Sequence, residues 1–262
     1  MVAPLERSAR RAPAIASAVV RAGDRRSDVH RARSAGPLRL LFPRAAGRAA
    51  WIVTSSLGSG LVDGDDVSLA VTVDPGATAL LTTQSSTKVY RGTSRQHLRV
   101  RAHGDATVLI LPDPVVPYRD AHFTQTTSLT LDATTSLVYA DVLTAGRIAF
   151  GERWSAARID TKLTLTIAGT TRLLDRVVLD HATRMRRFTA LGTALLLGPR
   201  FASTLPQITS LDRDLVIAAS PLADGVILRI AGTDLSRVVS TLRAFLAPAC
   251  TLAGEDPWSR KW

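Results

Sequence analysis

His122-Phe123-Thr124-Gln125-Thr126-Thr127-Ser128-Leu129-Thr130-Leu131 sets Phe123, Gln125, Thr127, Leu129 and Leu131 against a face of threonine and serine. Side chains alternate across a strand, so a period of two over ten residues specifies a strand with one face turned to a core. Thr161-Lys162-Leu163-Thr164-Leu165-Thr166-Ile167 reads the same way, because β-branched side chains suit a pleated surface. Further strands are expected at Leu38–Phe42, Trp51–Thr54, Val67–Val73, Thr78–Thr83, His97–Arg101 and Thr107–Leu111. Later segments, among them Ser136–Leu143, Arg172–Leu179, Leu215–Ala219 and Val226–Ile230, continue the pattern. Asp74-Pro75-Gly76 and His103-Gly104-Asp105 are turn formers expected to join antiparallel neighbours.

Helices are few. Thr233 can cap a helix whose apolar face is Leu235, Val238, Val239, Leu242, Phe245 and Leu246, with Pro248 as its end. A second candidate covers His181–Leu191. Many strands without alternating helices predict an all-β fold. Mainly antiparallel strands in a sandwich-like or helical β architecture are expected, with one or two short α-helices near the C-terminal part. No internal repeat stands out.

The chain has 262 residues and 46% hydrophobic residues, enough for one substantial core. Its net charge of +11 is concentrated near the start. Residues 1–35 are therefore expected to be a basic, flexible extension, and residues 36–262 a single domain. Arg10 and Arg11 precede a short apolar run, Ala12–Val20, that stops at Arg21 and reads as no signal peptide. No run approaches the roughly 18 apolar residues of a membrane span. The single cysteine, Cys250, excludes an intrachain disulfide and fits a reducing, cytoplasmic setting.

The motifs of catalysis are missing. There is no Gly-x-Ser-x-Gly elbow and no Gly-x-x-x-x-Gly-Lys-Ser/Thr loop. No two of the five histidines have i, i+2 or i, i+4 spacing, and a closed zinc site has no cysteine cluster to form it. Four carboxylates, Asp113, Asp120, Asp141 and Glu152, fall within 40 residues of one another. Together they could line a polar passage. A divalent transition-metal ion accepts N and O donors where thiolates are absent, and a route for such an ion should use ligands sparsely so that it can leave. Two alternatives stay open: a carboxylate-dependent hydrolase using a pair such as Asp113 and Glu152, and a nucleic-acid-binding β module using the Arg-rich arm.

Three blocks remain. Thr82-Thr83-Gln84-Ser85-Ser86-Thr87-Lys88-Val89-Tyr90-Arg91 reads as a polar strand that presents Lys88, Tyr90 and Arg91. Leu111-Pro112-Asp113-Pro114-Val115-Val116-Pro117-Tyr118 reads as a stiff surface crossing, because proline removes backbone donors. Gly146-Arg147-Ile148-Ala149-Phe150-Gly151-Glu152-Arg153-Trp154 suggests bends or close chain approach at its glycines, and an Arg147–Glu152 pair. In order, with Gly36-Pro37-Leu38 before them and Pro257-Trp258 and Trp262 after, these blocks resemble the UreD (UreH) family of urease accessory proteins over roughly residues 36–262. The resemblance implies an all-β, non-catalytic scaffold, a maturation chaperone with no permanently bound cofactor. It implies a UreF-like protein as direct partner and, in a larger complex, a UreG-like GTPase and apo-urease. Nickel would pass transiently through the chain to the urease site. Thr83, Lys88, Tyr90, Arg91, Arg147 and Trp154 would then belong to the core or the partner face, and Asp113, Asp120, Asp141 and Glu152 to a passage or interface.

Overall fold

The computed structural model describes residues 13–58, 60–180, 185–201 and 210–258. Two sheets face one another across a shared core. The first contains seven strands in the order β14 (Thr170–Leu179), β13 (Arg158–Ile167), β11 (Ala121–Leu131), β8 (Gly92–Ala102), β5 (Asp66–Val73), β1 (Ala14–Ala22) and β2 (Ser27–Ser34). The second runs β16 (Ser210–Leu211), β17 (Leu215–Leu222), β18 (Gly225–Gly232), β15 (Ala190–Leu197), β12 (Ser136–Thr144), β9 (Thr107–Ile110), β6 (Thr78–Thr83), β4 (Ala50–Ser56) and β3 (Leu38–Leu41). Two three-residue strands, β7 (Thr87–Val89) and β10 (Val115–Pro117), pair with each other beside β12.

The all-β expectation holds, and of its two forms the helical one describes the centre. There the chain passes from β5 to β6, from β8 to β9 and from β11 to β12, each time leaving one sheet for the other. Equivalent strands then stack in parallel: β5 on β8, β8 on β11, β6 on β9 and β9 on β12. The pairing is therefore mixed: antiparallel hairpins such as β1–β2, β3–β4 and β13–β14 flank the coil, and β12, β15 and β18 pair antiparallel without being hairpins.

The expected turns are corners of these coils, not hairpins. Ala77 N donates to Asp74 O (3.1 Å), Ala106 N to His103 O (3.3 Å) and Thr135 N to Asp132 O (3.1 Å), so three β-turns sit one above another. They are laced together along the stack. Gly76 N donates to Asp105 Oδ1 at 2.7 Å across 29 residues, and Gly104 N donates to Asp132 Oδ2 at 2.8 Å across 28. A sequence interval of about one coil thus repeats although no repeat is evident in residue identity.

Burial explains the two textures of the strands. The first sheet covers one face only, so β11 alternates, with Phe123, Leu129 and Leu131 buried. The second sheet is covered on both faces and reads as unbroken apolar runs, Ala79-Leu80-Leu81 and Val108-Leu109-Ile110. One side joins the inter-sheet core, and the other packs under the helix α1 (Leu235–Cys250) through Leu80, Leu109, Val138 and Leu196.

Several expectations are corrected. Residues 14–34 are not a flexible arm: they form β1 and β2, and β1 buries Ala14, Ala16, Ala18 and Val20 against the core. Alanine at the buried positions makes the strand look weakly apolar, although the alternation is complete. Residues 1–12 lie outside the described residues, as do Ser59 and Trp262. The second helix does not form over residues 185–191, where a turn leads into β15; residues 181–184 lie outside the described residues. Asp234, not Thr233, caps α1 by accepting from Arg237 N at 3.0 Å, and the helix continues two residues past Pro248. Thr82–Arg91 is not one strand: β6 ends at Thr83 and β7 begins at Thr87. Part of the proline-rich crossing is the strand β10.

Candidate functional site

Two arrangements gather the residues singled out by the sequence. The first is a stack on the surface. Tyr118 N donates to Val89 O at 2.8 Å, which sets the end of β10 beside the end of β7. Tyr90 and Tyr118 therefore meet edge to face, with ring centroids 5.0 Å apart. The Arg147 guanidinium lies 4.1 Å from the Tyr118 centroid and 5.3 Å from that of Phe150. Arg147 Nε donates to Glu152 Oε2 at 2.9 Å, and its Nη2 donates to Oε1. The hydrogen bonds from Arg147 hold the Glu152 carboxyl below the usual carboxylate range, although burial opposes them.

Gly146 makes this stack possible. It has φ +106°, and a Cβ there would lie 2.7 Å from Pro117 O. The turn that follows exposes Ile148 (50%) and Phe150 (76%). Lys88 and Arg91 are exposed nearby in sequence. Trp154 does not belong to a partner face. It is buried, and its Nε1 donates to Phe188 O at 2.8 Å, so it anchors the loop to the core. Tyr118 and Phe150 were not singled out beforehand; an aromatic directly after a proline-rich crossing is the signal that pointed to the former.

The second arrangement lies between the sheets. A surface cleft of about 210 Å³, lined by Thr83, Ser85 and Lys88 among others, shares Thr54, Thr83 and Gln96 with an interior cavity of about 80 Å³. That cavity shares Gln125, Thr127, Tyr139 and Asp141 with a third space of about 40 Å³, which also meets Lys162, Asp175 and Thr193. The three volumes thus follow one another through shared walls across the interior. Gln96, Gln125, Thr127 and Asp141, at inward positions of β8, β11 and β12, set polar groups among the apolar side chains, such as Leu69, Leu81 and Ile110, that line most of this cavity.

Asp141 stands at the junction. Its Oδ2 accepts from Gln125 Nε2 at 2.7 Å and from the Tyr139 hydroxyl at 3.4 Å. Burial pushes its carboxyl up to about 6, against the opposing pull of Gln125 and Tyr139. Burial, reinforced by the Asp141 charge, also raises the Tyr139 phenol well above its ordinary value.

The other three carboxylates part company. Asp113 sits behind the Thr83 wall: Thr83 Oγ1 donates to Asp113 Oδ2 at 2.8 Å and accepts from Asp113 N at 2.7 Å. Asp120 lies on an exposed turn with φ +59°, and Glu152 belongs to the surface stack. Asp113 and Glu152 are thus held in separate hydrogen-bond sets. Asp175 was missed. It points inward on β14 between Leu173 and Val177, and Arg229 pairs with it at 2.9 Å. An acid at an apolar register position was the available signal. Among the described residues, no three His, Cys, Asp or Glu side chains converge as a metal-binding group. No helix among them is long and apolar enough to cross a membrane.

Comparison with known proteins adds a lineage to this geometry. The family model described as UreD urease accessory protein matches residues 13–262. The chain is similar to a protein named urease accessory protein UreD from Sorangium cellulosum, 40% identical over 90% of this chain and 80% of that protein. A protein of the same name from Anaeromyxobacter is 36% identical over 92% and 90%. Urease accessory protein D from rice (Oryza sativa subsp. japonica) is 33% identical over 79% and 72%.

Proposed function

Because the chain belongs to the UreD family of urease accessory proteins, we propose that it serves urease maturation as a non-catalytic scaffold whose interior conducts the nickel ion toward the apo-urease active site. The observation that carries this reading is the succession of three spaces, the first two sharing Thr83 and Gln96 and the last two sharing Asp141. A conducted ion needs oxygen donors spaced along a route, and it must leave each of them. Asp141, the amide oxygens of Gln96 and Gln125, and the hydroxyls of Thr83 and Thr127 supply such a series, with the Asp141 carboxylate where the second space meets the third. Nickel binds O donors more weakly than thiolate or clustered imidazole sites, so this set favours passage over retention.

A carboxylate pushed up to about 6 by burial suits the task. Near neutral pH the group is mostly ionised, so it offers a carboxylate to a divalent cation without a proton having to leave first. Partner proteins fit the same scheme. A UreF-like protein would bind the scaffold directly, and a UreG-like GTPase and apo-urease would complete the assembly, since this chain carries no phosphate-binding loop of its own. The exposed Ile148–Phe150 turn and the Tyr90–Tyr118–Arg147 stack form a firm platform for such a contact.

The test is coexpression with the urease subunits and the other accessory proteins at limiting nickel. Deletion of this chain should leave urease inactive and nickel-poor. Asp141→Asn should lower the nickel content of purified urease while the variant still co-purifies with its partners. Full activation by the Asp141→Asn variant would overturn conduction through this cavity, and full activation after deletion would overturn the maturation role.

A further inference from the structure

Among the described residues no element packs on the outer face of the seven-stranded sheet, and its registers define what it presents. Residues paired across neighbouring strands point to the same side. Arg31 thus shares a row with Val19, Thr72, Arg101 and Thr130, and Arg33 shares the next row with Ser17, Ala70, Arg99 and Ser128. Arg95 extends the β8 column. These five arginines are exposed, and none has an acidic side chain within salt-bridge distance among the described residues. The acids on the face are taken: Asp66 lies 3.5 Å from His97, and Asp160 holds Arg158 and Arg176. Two columns of guanidinium groups therefore stand three strand spacings apart, roughly 14 Å; Arg31 and Arg33, like Arg99 and Arg101, are about 7 Å apart along their strand, and Arg95 stands about 14 Å from Arg99 with His97 between them.

Between the columns lie mainly small or short side chains, chiefly Ser17, Ser68, Ala70 and Thr72, with Ile15 and Val19 on β1 as the larger ones, so a flat partner can approach closely. Two apolar anchors are exposed: Ile15 on β1 is 58% exposed and Leu174 on β14 is 63% exposed. The face is roughly 29 Å across its seven strands and roughly 20 Å along them, from the strand spacing and rise. That is roughly 600 Å², comparable to one side of a specific protein interface, which is about 800 Å².

We propose that this face is a second docking surface, built for a protein that presents a flat acidic patch, and that its occupant is a component of the maturation assembly. Four features favour a protein over nucleic acid: the two exposed aliphatic anchors, the area, the grid spacing of the charges and the lack of aromatic side chains for base stacking on the central strands β1, β5 and β8. Unpaired guanidiniums on a rigid sheet are pre-organised to receive carboxylates in bidentate geometry, and they raise the encounter rate with an acidic partner. The choice of occupant rests on the maturation role proposed above; the chemistry of the face does not.

The test uses the purified full chain and a variant combining Arg31→Glu, Arg33→Glu, Arg99→Glu and Arg101→Glu. All four positions are exposed, so the fold should persist, which circular dichroism and thermal melting check. A control carries Arg200→Glu and Arg213→Glu, away from this face. Each is titrated separately with apo-urease, the UreF-like protein, the UreG-like GTPase and a DNA duplex at low and physiological salt. The inference requires that the fourfold variant, and not the control, lose ~10-fold or more affinity for one protein component, with the salt dependence of that contact flattened. Equal binding of the fourfold variant and the wild type to every protein component would overturn it. So would a loss confined to the DNA duplex, or no protein component binding the wild type. Failure of the maturation role would show differently, as urease activation unaffected by deletion of the chain.

Discussion

Asp141→Asn exchanges one carboxylate oxygen for an amide group and leaves the shape of the cavity unchanged. The amide oxygen that the substitution provides can still accept from Gln125 Nε2, which in the wild type donates to Asp141 at 2.7 Å. What changes is the charge. The wild-type carboxyl is pushed from 3.8 to about 6 by burial. At about 1.4 kcal/mol per pH unit, keeping it ionised in the folded protein costs about 3 kcal/mol. The sign follows from linkage. A folded-state value raised above the unfolded one favours folding at low pH, and that contribution is lost as pH rises through about 6. Asparagine has no such loss. The variant should therefore be more stable than wild type by about 3 kcal/mol at pH 7.5, and by only about 1 kcal/mol at pH 4.5, where the folded carboxyl is still protonated. Urea unfolding followed by tryptophan fluorescence measures both. With a slope near 3 kcal/mol/M, the midpoint should rise by about 1 M at pH 7.5. A variant no more stable than wild type at pH 7.5, or one with the same gain at both pH values, would refute the argument that Asp141 is kept in the cavity at a cost in stability.

Other perturbations probe the surroundings. Gly146→Ala places a Cβ 2.7 Å from Pro117 O at φ +106°; a loss of about 2 kcal/mol in a thermal or urea melt is expected, together with a weaker Tyr118–Arg147 stack. Leu109→Ala empties a fully buried position between the second sheet and α1 and should cost about 3 kcal/mol, read in the same melt. The Cys250 thiol, pushed up to about 12 chiefly by burial, should resist alkylation at pH 8 in the native protein and react on addition of denaturant; fast native labelling would contradict its burial. Glu152→Gln should destabilise the protein at neutral pH, with the difference from wild type shrinking as acid titrates the wild-type carboxyl, because a depressed carboxyl contributes stability that is lost as pH falls through its folded value.

The strands were legible where alternation and side-chain size agreed, as in Phe123–Leu131. They were obscured where the buried residue is alanine, as at Ala14, Ala16 and Ala18, because a small side chain carries little hydrophobic contrast. The coil was obscured for a different reason. Its recurrent element is a corner, Gly76-Ala77-Thr78, then Asp105-Ala106-Thr107, then Thr134-Thr135-Ser136, and what recurs is a backbone turn that several residue types can make. For the site, residue chemistry placed Asp141 among four candidate carboxylates and anticipated the Arg147–Glu152 pair, which forms. Spacing alone could not separate them from Asp113 and Asp120, since the coil brings residues some 30 positions apart into contact and sends near neighbours in sequence to different faces.

The antiparallel hairpins at the flanks have a consequence for assembly in a crowded cell. A stack of parallel coils is open at both ends, and each end is a template on which another copy could add strands indefinitely. Here the first sheet terminates in β1–β2 on one side and β13–β14 on the other. The outermost β2 carries a bulge against Val19 and Val20 and two arginines, so its free edge is twisted and charged. On the far side, β14 has its own irregularity against Leu165 and Thr166. The hairpins act as stoppers: they let the coil provide a rigid body without growing into a fibre.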